Sequence, residues 1–171
     1  MRARVGESVP LASPFGAVFV AWDDDTIVDW LKRAGDALSE DERELALAAL
    51  ERVRRRGYAI STDIVRPDLA SLLVELADGS PDLSKLETRD ALIRDLARVD
   101  TFRSTLRWTD HQRVAQITAP VFDAAGTVVY SLMILGPGYD LQPDEVAAYG
   151  SHLLTAAAEA TTRLGGRVGR P

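Results

Sequence analysis

The chain of 171 residues contains no cysteine. Disulfides, thiolate metal sites and cysteine nucleophiles are excluded at once. Histidine is nearly as scarce: His111 and His152 lie far apart and in no HExxH-type spacing, so neither is assigned as a metal ligand. No apolar run approaches the roughly 20 residues that a membrane-spanning helix needs. The basic start Met1-Arg2-Ala3-Arg4 is followed by Glu7, Ser8 and Pro10 instead of the apolar stretch of a signal peptide. One cytoplasmic domain over residues 1–171 is the expectation.

Catalytic patterns are missing as well. Tyr149-Gly150-Ser151-His152 falls in a helical pattern and is not the strand-to-helix elbow of a serine hydrolase. There is no GxxxxGK phosphate loop, and Gly136-Pro137-Gly138 lacks the rest of a dinucleotide fingerprint. Asp23-Asp24-Asp25 has no spaced partner ligands and reads as a helix cap. Asp110-His111 has no nucleophile to serve. The expectation is a protein without catalytic residues, metal or cofactor, and not an enzyme.

What is present suits a globular α+β domain: 46% hydrophobic and 27% charged residues, with a net charge of −6. That charge opposes DNA binding by the chain itself, which needs a localised basic surface. The dense basic run is Arg52, Arg54, Arg55 and Arg56. It closes a helix that starts acidic, so complementing the helix dipole explains it; a nucleic-acid patch is the alternative.

Local signals place the elements. Residues 6–11 suit an edge strand, and Ser13-Pro14-Phe15-Gly16 opens a short apolar helix over 17–22. One of Asp23 to Asp25 caps a helix over 26–34, with Ile27, Trp30 and Leu31 on one face and Gly35 as its stop. Ser39 with Glu42 forms a capping box for a helix to Arg56, with Leu45, Ala49, Leu50 and Val53 inward and Gly57 ending it. Residues 58–65 predict a strand, and the leucine and isoleucine spacing over 67–99 predicts two helices. Strands over 114–122 and 128–135 flank a turn at 123–126. The near-continuous apolar second strand predicts burial on both faces. Pro143 begins a long helix reaching about Leu164.

Three stretches in this order resemble the effector-binding domain of IclR-family transcriptional regulators. They are Val5-Gly6 through Pro10-Leu11-Ala12-Ser13-Pro14-Phe15-Gly16-Ala17, then Val53-Arg54-Arg55-Arg56-Gly57-Tyr58-Ala59, then Ala119-Pro120-Val121-Phe122-Asp123 with Gly126 and Gly136-Pro137. The resemblance implies a GAF/PAS-like antiparallel sheet flanked by helices, here with a helical insertion at about 67–99. It also implies a sensor of a small-molecule effector that assembles as a homodimer or homotetramer and reaches DNA through a winged helix absent from this chain. A stand-alone GAF-like scaffold for protein contacts, without ligand, is the alternative. The insertion would act as a lid or extra interface, or as surface decoration.

The resemblance places the ligand between the sheet, the turn at Ser13 to Gly16 and the helix after it. The candidate wall residues are Pro14, Phe15, Phe19, Tyr58, Ser61, Ile117, Thr118, Met133 and Leu135. Two departures bear on the ligand. Ala17 replaces the family's lysine. Where carboxylate-binding relatives have an acid and two serines, this chain has Ser61, Met133 and Leu135. Losing two hydrogen bonds to a charged group weakens a small carboxylate by about 3–6 kcal/mol. The expected ligand is therefore an apolar or aromatic metabolite, anchored by Ser61 or Thr118, unless Met133 and Leu135 simply fill the site as core.

Overall fold

Three helices begin and end on the residues that local chemistry selects. The computed structural model describes residues 11–13, 15–35, 38–62, 114–136 and 139–168. After the short helix α1 (Ala17–Val20), helix α2 (Asp24–Ala34) is capped by Asp23, whose carboxylate accepts from Thr26 N at 2.8 Å. It starts two residues ahead of the expected position because Asp24 and Asp25 join its first turn, where acids suit the dipole. Helix α3 (Glu40–Arg56) carries the capping box: Glu42 N donates to Ser39 Oγ and Ser39 N donates to Glu42 Oε2. Gly57, at φ 87°, then turns the chain in the left-handed region while its N–H reaches Val53 O.

Leu45 departs from expectation. It is 40% exposed, and Ala46 takes the inward place. The buried stripe runs Glu42, Ala46, Ala49, Leu50, Val53, and Leu45 sits one residue off it, about 100° around the helix. Ala46, Leu50 and Val53 of this stripe form one core cluster with Val20, Ile27, Trp30, Ala34 and Leu38, built from α1, α2 and α3. Arg54 clamps it from the side: its guanidinium donates to Ala21 O and pairs with Asp24 at 2.5 Å and Glu51 at 2.9 Å.

Strands β1 (Ala59–Thr62), β2 (Val114–Phe122) and β3 (Val128–Leu135) form an antiparallel sheet in the order β1-β2-β3. The β2–β3 turn is held by Asp123 Oδ1, which accepts from Ala125 N and Thr127 N at 2.9 Å each. The sheet order corrects the expected burial of β3. Among the described strands, β2 is central and buried along most of its length, whereas β3 is the outer one, with Tyr130, Met133 and Leu135 exposed. An apolar run is common to central and edge strands, so composition does not separate them.

Helix α4 (Pro143–Arg163) lies on one sheet face through Val146, Gly150, Leu153, Ala157 and Thr161. Its end is tied back to β2: Thr161 Oγ1 accepts from Phe122 N at 3.1 Å, and Arg167 N donates to Asp123 O. The opposite face meets α1 at one end, where the Trp22 and Phe122 rings pack edge to face at 5.4 Å. The expected strand at 6–11 (to residue 10), Pro14 and the helical insertion at 67–99 lie outside the described residues.

Candidate ligand-binding face

Strand pairing sorts the candidate residues into two sets. Thr118 pairs with Ala59 on one side and Met133 on the other; Gln116 pairs with Ser61 and Leu135. Ser61, Thr118, Met133 and Leu135 therefore share one face of the sheet, the face that meets α1 at its other end. Ile117 is Thr118's neighbour in the same strand, and alternation sends it to the opposite face. There it joins Tyr58, Val121 and Leu153 in the cluster under α4, 1% exposed. Tyr58 and Ile117 thus lie on the other face of the sheet from Ser61, Thr118, Met133 and Leu135.

The first face holds a defined chemistry. Thr118 is 6% exposed, beside Met133 at 47% and Leu135 at 58%. One buried hydroxyl and one half-buried one, from Ser61, border two open apolar side chains. Such a surface suits a mostly apolar ligand with a single polar anchor. Phe15 and Phe19 are half-buried at the α1 end. Phe19 packs on the α1–α3 cluster, and Phe15 O accepts from Trp30 Nε1 at 2.6 Å, which fixes the turn.

Sequence reasoning passed over Ser13. It is fully buried, and its hydroxyl has no hydrogen-bond partner among the described residues. A serine in a turn carries no sequence signal of burial. Also unforeseen is a cavity of about 150 Å³ on the α4 side, lined by Val114, Ile117, Ile134, Leu135, Gly136, Leu141 and Tyr149. Ile117 and Leu135, both expected in the ligand wall, therefore border this cavity.

Charge is arranged around the helices. The Thr26 hydroxyl, followed by the Thr26 N–H, holds the Asp23 carboxyl below its usual range; Arg54 adds to this and slight burial opposes it. The hydrogen bond from Arg54 to Asp24 holds that guanidinium above the ordinary arginine range. Among the described residues no three His, Asp or Glu side chains gather into a metal-binding group. No helix among them is long and apolar enough to cross a membrane.

No protein-family profile and no curated protein matches the sequence. Among solved structures, the crystal structure of a transcriptional regulator described as IclR family, a targeted domain, aligns with a TM-score of 0.51 at 22% identity. The alignment covers 92% of this chain and 67% of that one. The chain has the α+β fold of that IclR-family domain.

Proposed function

We propose that this chain is the effector-binding domain of an IclR-type transcriptional regulator, a sensor and not an enzyme, which passes its signal to a winged helix that reads DNA. The shared fold supports the regulatory setting. The ligand reading rests on one observation: Ser61, Thr118, Met133 and Leu135 lie together on a sheet face where the two apolar side chains are open. The ligand is an apolar or aromatic metabolite lying on Met133 and Leu135 and hydrogen-bonded by Thr118 or Ser61. Each Å² of apolar surface it covers contributes about 25 cal/mol.

Calorimetry on the 171-residue chain tests this, setting aromatic and lipid-like metabolites against glyoxylate and pyruvate. The expected result is binding of the former, weakened by Met133→Ala and by Leu135→Ala. Tight binding of glyoxylate or pyruvate, unaffected by both substitutions, overturns it.

A second reading is favoured by the exposed side chains of β3, where Val129 is open on the face of Met133 and Leu135 and Tyr130 is open on the other face. On that reading the chain is a protein-contact scaffold without ligand. Binding of a second protein that Tyr130→Ser abolishes, with no metabolite bound, would establish it.

A further inference from the structure

Arg54 is satisfied by three acceptors, but two other arginines of α3 are not. Arg52 and Arg56 stand one helical turn apart. Arg52 Nε and Nη2 and Arg56 Nε are shielded from solvent, and none of them makes a hydrogen bond among the described residues. The Arg56 guanidinium lies 5.6 Å from the centroid of the Tyr58 ring. A ring face attracts the cation but accepts none of the in-plane N–H groups.

Both side chains are half-buried as wholes, but these nitrogens are covered, and covered donors are nearly always paired. Two such cations on one turn also repel each other. Burial, aided for Arg52 by Arg55, holds both guanidinium groups below the ordinary arginine range; Tyr58 offsets part of the effect at Arg56. The helix dipole favours cations near the end of α3, but it supplies no acceptor to these nitrogen atoms. An anion with several oxygens would supply acceptors to these nitrogens. The planar fork of arginine suits such a group better than lysine does.

We propose that Arg52 and Arg56 form a binding site for a small oxyanion, a phosphate or carboxylate group. The site is separate from the apolar face. Tyr58 belongs to the cluster under α4, whereas Ser61, Thr118, Met133 and Leu135 lie on the opposite face of the sheet.

The test titrates the 171-residue chain with inorganic phosphate and, separately, with succinate, at ionic strength held constant with sodium chloride. Thermal denaturation and calorimetry give the readout. Saturable binding of one or both probes is expected, and the tighter probe assigns the class of oxyanion. Arg52→Gln and Arg56→Gln should each weaken it by about tenfold to a hundredfold, as loss of a hydrogen bond to a charged group implies. Met133→Ala should leave it unchanged, which separates this site from the apolar face. Should a glutamine variant fail to fold, Arg52→Lys and Arg56→Lys keep the charge without the fork and should weaken binding by a smaller factor. No saturable binding of either probe overturns the proposal. So does a glutamine variant more stable than the parent when the parent binds neither probe, since the pair is then mere repulsion.

Discussion

The ring of Tyr58 rests on the Cα of Gly150: a methyl group built on that glycine would stand 2.3 Å from the ring's Cζ. This contact sets how closely α4 approaches the strand that follows Gly57. Gly150→Ala gains roughly 0.5–1 kcal/mol of helix preference. It must also displace a ring that is 8% exposed, and overpacking of this kind costs typically about 1–3 kcal/mol. The collision wins, so urea denaturation should show net destabilisation. Adding Tyr58→Leu should make the pair of substitutions less costly than the sum of each alone. Strict additivity would refute the contact.

Thr161 is 4% exposed and its hydroxyl is the acceptor for Phe122 N, at the end of β2. Thr161→Val keeps the shape and removes the acceptor, leaving a buried N–H unpaired at a cost of about 1–3 kcal/mol. Thr161→Ser should recover most of the loss. Amide exchange at Phe122 should quicken in the valine variant and not in the serine variant.

The Asp23 carboxyl is held below its usual range in the folded chain, first by the Thr26 hydroxyl. Its contribution is therefore present above the unfolded aspartate value, about 3.9, and is lost as pH falls through the lower folded value. Asparagine is also a competent N-cap, without the titration. Asp23→Asn should lose less stability than the parent between neutral pH and pH values below the folded one. Parallel acid profiles of urea midpoints for the two proteins would contradict this.

Assembly as a homodimer or homotetramer follows from the proposed regulatory role, since symmetric oligomers match paired DNA half-sites. Of the alanines in α4, Ala157 is spent on the sheet, whereas Ala147, Ala148, Ala156 and Ala158 are exposed. Light scattering at high micromolar concentration should show a dimer or tetramer, and Ala158→Glu should lower the oligomer fraction. A monomer at every concentration would remove assembly from the proposal.

Helix ends were legible because their chemistry is local. Asp23 with Thr26, Ser39 with Glu42 and Gly57 with Val53 each act within four residues, so the sequence carries both partners side by side. The hairpin turn was legible for the same reason, with Asp123 holding the two N–H groups that follow it. Leu45 and Ala46 are adjacent and both apolar, so the apolar pattern of α3 does not fix the helical phase to one residue.

By itself the sequence determined where α3 and the β2–β3 hairpin begin and end, where α2 stops, and which residue types each strand offers. Tertiary structure alone decided which side of the sheet each candidate occupies, since Ile117 and Thr118 differ by one position and face opposite layers. Among the described strands it made β3 the outer one and β2 the centre, a matter of strand order that neither strand's composition encodes. It also divided one basic run, giving Arg54 three acceptors and leaving buried nitrogens of Arg52 and Arg56 without one. The reason is the same in each case: whether a side chain is paired or covered depends on residues distant in the chain, which only folding brings together.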